Sequence, residues 1–330
     1  MQCDGSPMLR LTNVSFSYKS EETLKDITFD IMPGEFVALM GPNGSGKTTT
    51  MRCINKMMKI DSGSIEIDGC DISDLTMSEI SRLCTTVPAD TSVDFSLTVR
   101  DYVALGRSPY IKNIWWEDEN DERMIDDAMW NLAVAHYANR RLHELSSGER
   151  ARVLLAKGIV QTPKVLLVDE PSAHLDVKYK IQIMEILKGL SRKGLTILIA
   201  SHDINLLTRF CDRILLLSKG RIVDYGLAKD VVTEEAIEKV FDIKVKVVEE
   251  EGTVYVLPTG STEYGESSEN NRFDIHRKSM SNGVNRADAV TFPARGQRRS
   301  ARFRSRWKEI GQCILCSHIH RRGITRRRSV

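Results

Sequence analysis

The sequence of 330 residues lacks the features that mark membrane-spanning and secreted proteins. No apolar run approaches the roughly 18 residues that a membrane-spanning helix needs. The first residues, M-Q-C-D-G-S-P, contain no basic stretch followed by an apolar one, so they do not look like a signal peptide. We therefore expect a soluble protein of the cytoplasm, unless a partner holds it at a membrane.

Paired cysteines are also scarce among the seven that the sequence contains. Five of them have neither disulfide nor metal spacing: Cys3, Cys53, Cys70, Cys84 and Cys211. An odd count with this scatter is typical of a reducing compartment. The segment C-I-L-C-S-H-I-H (313–320) has a cysteine pair followed by two histidines, but structural zinc sites usually have wider spacing. Metal binding there is an alternative that we do not favour.

The net charge of only +2 conceals two regions of opposite sign. Residues 261–330 carry 16 Lys and Arg against 6 Asp and Glu, a net charge of +10, which leaves 31 against 39, or −8, for residues 1–260. We place a boundary near Gly260 and predict that the basic tail is disordered, because low hydrophobicity with high net charge cannot bury enough surface to fold. Its arginine runs would suit anionic lipid or nucleic acid as alternatives, although we expect no nucleic-acid partner.

Short apolar runs before residue 260 predict an α/β fold. The runs at 36–40, 165–168 and 196–200 are continuously apolar, as expected for strands of a parallel sheet that helices cover on both faces. The stretches 9–18 and 27–31 alternate instead, which predicts half-buried strands of an antiparallel part.

Helical patterns accompany these strands. A stripe of apolar residues at helical spacing predicts a helix packed on the sheet: Ile183, Ile186, Leu187 and Leu190. Residues 49–58 read as a helix after the first Gly-rich loop, and 97–160 as several helices without strands. Two more pairs of strands are predicted, at 214–226 and at 245–257.

The segment G-P-N-G-S-G-K-T (Gly41–Thr48) matches the phosphate-binding P-loop pattern in full, between a buried strand and a helix. Its glycines let backbone N–H groups surround phosphates, and the helix amino terminus adds partial positive charge. Lys47 is predicted to contact the β- and γ-phosphates, and Thr48 to offer its hydroxyl to Mg²⁺.

Candidate catalytic groups end two of the buried strands. In V-L-L-V-D-E-P, Asp169 is the predicted metal-side carboxylate, and Glu170 is placed to polarise an attacking water. His202 follows the strand T-I-L-I-A-S, so it should lie at the same edge of the sheet.

These motifs, with L-S-S-G-E (145–149) and S-A-H-L-D (172–176), resemble in order and spacing the ATP-binding subunits of ABC transporters, over roughly residues 8–245. The resemblance implies a P-loop NTPase (RecA-like) core with a parallel sheet, an antiparallel β subdomain and an ABC-specific helical subdomain at about 97–160. A short β extension at 246–260 and the tail at 261–330 would follow. The segments G-R-S-P-Y (106–110) and D-T-S-V-D-F (90–95) look most like the iron–siderophore, haem and cobalamin import group.

The resemblance also implies a second phosphate cradle. In the family, two subunits pack head to tail, and the P-loop of one and the L-S-S-G-E segment of the other enclose one ATP. A homodimer is therefore expected, with Ser146, Ser147 and Gly148 completing the partner's site. Tyr18 would stack on adenine, and Ala173 to Asp176 would form a signalling loop. The implied nucleotide contacts are Tyr18, Gly41, Pro42, Asn43, Gly44, Ser45, Gly46, Lys47, Thr48, Thr49, Ser146, Ser147, Gly148 and Asp176.

The expected function is hydrolysis of ATP, with Mg²⁺, to drive import through transmembrane permease subunits. These subunits would work with an extracytoplasmic binding protein. The protein would sit on the inner face of the membrane through the permease. Two departures from the family pattern matter: Ser147 replaces a glycine, and Ala89 replaces a glutamine that normally reaches Mg²⁺ and the attacking water. Alternatives are therefore an ATP-binding switch with weak hydrolysis, and a non-transport ATPase of the same family.

Overall fold

The structure is a computed structural model that describes residues 5–88, 97–110, 119–171 and 175–261. All of these residues belong to one compact unit, Met1–Asn271. Several predictions fall outside the described residues: those on Ala89, on Ala173, on the cysteine–histidine segment at 313–320 and on the tail beyond Ser261.

The described residues form twelve strands and nine α-helices. The strands are β1 (Leu9–Tyr18), β2 (Glu21–Ile31), β3 (Phe36–Met40), β4 (Ser62–Ile67), β5 (Cys70–Asp71), β6 (Cys84–Val87), β7 (Val165–Asp169), β8 (Thr196–Ala200), β9 (Arg213–Ser218), β10 (Arg221–Gly226), β11 (Ile243–Glu250) and β12 (Thr253–Ser261). The helices are α1 (Lys47–Ile54), α2 (Met77–Leu83), α3 (Val99–Ala104), α4 (Glu119–Asn131), α5 (Ser147–Val160), α6 (Val177–Ser191), α7 (Ile204–Phe210), α8 (Ala228–Val231) and α9 (Glu234–Phe241). None of these helices is both long enough and apolar enough to cross a membrane.

A six-stranded sheet in the order β10-β9-β3-β8-β7-β6 forms the centre of the fold. The five strands from β9 to β6 run parallel, and β10 pairs antiparallel with β9. Every residue of β3 and β8 is buried, because both faces of the sheet are covered. The α/β prediction is confirmed, and β8 lies between β3 and β7 although it follows both in sequence.

The two faces of β3 enter two different apolar cores. Phe36, Ala38 and Met40 pack with the helical segment and with α6, whereas Val37 and Leu39 pack with α1 and the antiparallel strands. Those strands form a separate four-stranded sheet in the order β2-β1-β4-β5, as the alternating pattern predicts. This layering places the loop after β3 between the antiparallel sheet and the parallel one.

The helix after this loop is shorter than predicted. It ends at Ile54 rather than reaching Met58, because Lys56 adopts a left-handed backbone conformation with φ 58°. The Lys56 ammonium donates to three backbone carbonyls, those of Ile72, Ser73 and Leu75. These bonds tie the chain leaving α1 to the segment that leads into α2.

The described part of 97–160 is helical, as predicted, with one isolated β-bridge between Thr98 and Arg141. The G-R-S-P-Y segment fastens it to the end of α5. Arg107, only 6% exposed, donates to the Val160 carbonyl at 2.9 Å and pairs with Asp121. A side chain at Gly106 would come within 2.3 Å of the Lys157 carbonyl oxygen, so only glycine fits there.

The predicted closing hairpin is present as β11 and β12, which pair antiparallel. It begins at Ile243, three residues before the extension boundary placed at 246. Val245, Val254 and Val256 are buried in the same core as Leu207 of α7 and Ile237 of α9. The hairpin is therefore packed on the rest of the fold through its apolar residues.

Candidate nucleotide-binding site

Three neighbouring strands end at one edge of the central sheet and carry the predicted site residues there. The Gly-rich loop follows β3, His202 follows β8, and Asp169 ends β7 with Glu170 directly after it. Because these strands are parallel and adjacent in the order β3-β8-β7, their carboxyl ends meet. The sheet order thus brings the three motifs together, with His202 between the loop and the carboxylates.

Two glycines of the loop stand where a side chain has no room. A Cβ at Gly41 would lie 2.2 Å from the Leu217 carbonyl oxygen, and one at Gly46 would lie 2.8 Å from the Leu24 side chain. Gly46 also has φ 111°, which L side chains rarely adopt. The loop therefore keeps its close course around the start of α1 only with glycine at these positions.

The interior of the loop is suited to an anion. Lys47 is 7% exposed, and its ammonium donates to the carbonyls of Gly41 at 2.8 Å and Pro42 at 3.0 Å. Burial lowers the pKa of Lys47, while the Glu170 and Asp169 carboxylates act to raise it.

The Ser45 hydroxyl is buried without a hydrogen-bond partner among the described residues. Gly46 has no side chain to cap the first N–H groups of α1. A buried cation, an orphaned hydroxyl and an uncapped helix start together fit a phosphate group.

The predicted metal ligands lie side by side. The Thr48 side chain hydrogen-bonds to the Asp169 carboxyl, which lowers the pKa of Asp169, but burial acts more strongly and raises it overall. Oxygen ligands of this kind suit Mg²⁺, which is usually held by one or two protein groups together with phosphates and water. The described residues contain no group of three or more His, Cys, Asp or Glu side chains that could hold a metal ion.

Glu170 and His202 face each other across β7 and β8. Glu170 has a left-handed backbone, φ 44°, and its N–H donates to the Ala200 carbonyl at 2.9 Å. The carboxylate Oε1 lies 3.6 Å from His202 Nδ1, longer than a hydrogen bond. The His202 side chain is 61% exposed and that of Glu170 29%. An uncommon conformation at a single acidic residue of this edge is a feature often found at active sites.

Tyr18 ends β1 with 42% of its surface exposed. Its ring packs edge-on against Phe16, with centroids 4.9 Å apart, and its hydroxyl donates to the Met58 sulfur at 3.1 Å. The ring is thus held in place while part of it remains open, as stacking on a base requires.

The L-S-S-G-E segment begins α5. Ser146 is the N-cap, with Glu149 bonding back to it in a capping box. A Cβ at Gly148 would lie 2.8 Å from the Tyr179 ring, so α5 starts directly against α6 and near Asp176, its exposed N-cap residue. The hydrogen bonds that the structure describes for Ser146 and Glu149 run to one another, to Tyr137 and to Arg150, and none reaches the Gly-rich loop.

Sequence reasoning missed three residues around this site. Tyr179 packs on Gly148, Asp203 caps α7 and pairs with Lys180 at 3.3 Å, and Asn205 binds the hairpin. Asp203 was detectable, because an acidic residue just before a helix is a common N-cap. The contacts of Tyr179 and Asn205 had no local signal.

Comparison with known proteins agrees with this geometry. The sequence model of the ABC transporter family matches residues 24–173. The ferric enterobactin transport ATP-binding protein FepC of Escherichia coli is 30% identical over 257 residues, 77% of this chain and 95% of that protein. The cobalamin import ATP-binding protein BtuD of Halobacterium salinarum is 35% identical over 252 residues, 76% of this chain. The match spans 63% of the length of that protein.

Among solved structures, cbiO1 from Clostridium perfringens, part of the ABC transporter complex cbiONQ, is similar with a TM-score of 0.63 and 29% identity. The matched region covers 71% of this chain and 93% of the cbiO1 chain. The fold, with the Gly-rich loop after β3 and the carboxylates at the end of β7 at one edge of the sheet, defines a nucleotide-binding protein of the P-loop class. The chain belongs to the ATP-binding subunits of ABC transporters, and its membership implies that it binds ATP.

Proposed function

We propose that this protein is the ATP-hydrolysing subunit of an ABC importer for an iron–siderophore, haem or cobalamin. The observation that carries the proposal is the meeting of Lys47, Asp169, Glu170 and His202 at one edge of the parallel sheet, beside an uncapped helix start. The named relatives that support the substrate group include a ferric enterobactin transport protein and a cobalamin import protein.

In this proposal, the Gly-rich loop and Lys47 bind the phosphates of ATP. The Lys47 ammonium is already desolvated and close to the loop carbonyls, so little rearrangement is needed to present it to a phosphate. Thr48 and Asp169 would hold Mg²⁺, which neutralises charge on the β- and γ-phosphates when bound. Tyr18 would stack on the adenine ring.

Glu170 accepts a proton from the attacking water in this scheme, and His202 Nδ1 lies 3.6 Å from the Glu170 carboxylate. Placed there, His202 would orient the carboxylate and donate toward charge that develops on the γ-phosphate. The left-handed backbone of Glu170 and the bond from its N–H to the Ala200 carbonyl hold the residue directly after β7 and beside β8.

The second half of each site would come from another copy of the chain. Ser146, Ser147 and Asp176 are exposed, and no hydrogen bond described for them reaches the Gly-rich loop of their own chain. A homodimer with two equivalent sites, each closed by the partner's α5 amino terminus, fits this arrangement. Permease subunits and an extracytoplasmic binding protein would complete the importer, with this subunit on the inner face of the membrane.

Two substitutions test the proposal. Lys47→Ala removes the phosphate-binding cation, so nucleotide binding should be lost. Glu170→Gln keeps the shape but not the base, so the variant should bind ATP, hydrolyse it about 100-fold or more slowly, and accumulate as a dimer. Steady-state ATPase assays, nucleotide titration and size-exclusion chromatography with ATP and Mg²⁺ measure these effects.

Matched controls are Lys193→Ala and Glu185→Gln, which change exposed residues of the same types, Glu185 within α6 and Lys193 two residues after it. Both should behave as the wild type. A Glu170→Gln protein that remains monomeric and fully active would contradict the assignment. A wild-type protein that binds ATP tightly but hydrolyses none, with or without its permease, would favour the ATP-binding switch instead.

A further inference from the structure

In the part of the chain that the structure describes, both outer edges of the C-terminal hairpin are bound by side chains rather than by a further strand. On β11, the N–H groups of Val245 and Val247 donate to the carboxylates of Glu238 and Glu234 in α9, at 3.4 and 3.0 Å. On β12, the Asn205 side chain takes the place of a neighbouring strand. Its Nδ2 donates to the Val256 carbonyl at 3.1 Å, and its Oδ1 accepts from the Val256 N–H at 2.8 Å.

The carboxamide is well matched to this position. It offers one donor and one acceptor side by side, which an aspartate or an aliphatic side chain does not. Val256 is 3% exposed, so its backbone groups have little access to water. The hairpin and α9 are in turn joined by the buried valines and by the two glutamates, so Asn205 is attached to a well-packed support.

Asn205 lies in the first turn of α7, three residues after His202. This helix is only seven residues long, and its start is also held by the Asp203 cap and by the Lys180–Asp203 ion pair. His202 itself is largely exposed, and its one described ion-pair partner among residues 5–88, 97–110, 119–171 and 175–261 is Glu170. The position of its imidazole therefore depends on where the backbone at the start of α7 is held.

We infer that Asn205 is a positioning residue, which uses the C-terminal hairpin as a support to hold His202 opposite Glu170. The inference rests on the proposed function, because it assigns a role in ATP hydrolysis to a residue that touches neither nucleotide nor metal ligands. It gives the hairpin, which follows the ATPase core in sequence, a direct connection to the catalytic edge through one side chain.

The test is a double-mutant cycle in the full-length protein. Asn205→Asp keeps the size of the side chain but places a carboxylate oxygen against the Val256 carbonyl. The two hydrogen bonds between the Asn205 side chain and the Val256 backbone, which we call the clamp, are then broken. We expect kcat for ATP hydrolysis to fall about 10-fold or more, since small misplacement of a catalytic group is costly, with little change in KM. In a His202→Ala background, the same substitution should have almost no further effect, because it acts through His202. Asn131→Asp, an exposed site at the end of α4, is the control.

Thermal unfolding of every variant accompanies the assay, and Asn205→Ala repeats it without adding a charge. An unchanged kcat, an equal loss in both backgrounds, or unfolding of both Asn205 variants would overturn the inference. The last two outcomes would mean that the clamp serves folding rather than the position of His202. A wild-type protein without ATPase activity would overturn the proposed function and this inference with it, whereas an active wild type whose kcat is unchanged by Asn205→Asp overturns the inference alone.

Discussion

Gly148 and Gly189 both lie inside helices, but a side chain has room at only one of them. A Cβ at Gly148 would press against the Tyr179 ring at 2.8 Å, whereas one at Gly189 meets nothing within 4 Å. Gly148→Ala should therefore destabilise the protein by about 1–3 kcal/mol through overpacking. Gly189→Ala should stabilise it by about 0.5–1 kcal/mol, because alanine is the better helix former. Urea unfolding measures both effects.

Removal of the ring identifies the cause. In a Tyr179→Ala background, Gly148→Ala should cost much less than it does in the wild type, since the contact that it violates is gone. An undiminished cost would show that Gly148 is required for another reason. Ser147, the residue that replaces glycine in the family pattern, is exposed in the structure, which explains why a small side chain is accommodated there.

At the scale of elements, the start of α5 depends on one carboxylate. Glu149 accepts hydrogen bonds from the Tyr137 hydroxyl and from the N–H and hydroxyl of Ser146. The Tyr137 bond is the largest cause, and together these bonds lower the pKa of Glu149 to about 2. A carboxyl group with a lowered pKa adds stability above its unfolded pKa of about 4.3, and this stability is lost as pH falls toward the folded value.

Glu149→Gln should consequently be less stable than the wild type at neutral pH. The difference in free energy of unfolding should stay constant above about pH 5 and shrink between about pH 4.3 and pH 2. Denaturant titrations of both proteins at several pH values measure it. Glu185→Gln, on the exposed face of α6, is the control that should show no such pH-dependent difference. A difference that grows on acidification would contradict the capping role.

Elements that sequence reasoning missed share a physical cause. The strand β6, C-T-T-V, has two threonines and only four residues, so it carries no apolar run. It becomes a strand because it pairs in parallel with β7 at the edge of the sheet. The helix α1 ended early for a similar reason, since Lys56 finds three carbonyl partners only in the folded chain.

At the scale of the whole molecule, the charge asymmetry leads to a prediction about residues 262–330. All predicted site residues lie before this segment, and the sequence-based expectation is that it does not contribute to the folded core. A chain ending at Ser261 should keep its melting temperature and its ATP affinity nearly unchanged. Its isoelectric point, measured by isoelectric focusing, should also be lower, because the segment removed carries 16 Lys and Arg against 6 Asp and Glu.

Calorimetry and nucleotide titration of both chains test this prediction. A large drop in melting temperature, or stoichiometric zinc that disappears with the segment, would contradict it. Binding of the full chain to vesicles of anionic lipid, lost on truncation, would instead support the lipid alternative for the arginine runs. The truncated chain retains β12 and Val256, so the Asn205 substitutions can be tested in it as well.

Local patterns in the sequence determined which residues are predicted to form the nucleotide site of this protein. The P-loop, the strand that ends at Asp169 just before Glu170, and the strand that precedes His202 are each contiguous, because turn geometry, burial and phosphate binding act over a few neighbouring residues. The tertiary structure alone decided which of these pieces meet. It placed β8 between β3 and β7, so that His202 faces Glu170, and it packed Gly148 on Tyr179 and bound Asn205 to Val256. Such contacts join residues far apart in the chain, and they form only when the packing of all layers brings the two surfaces together, so no local pattern records them.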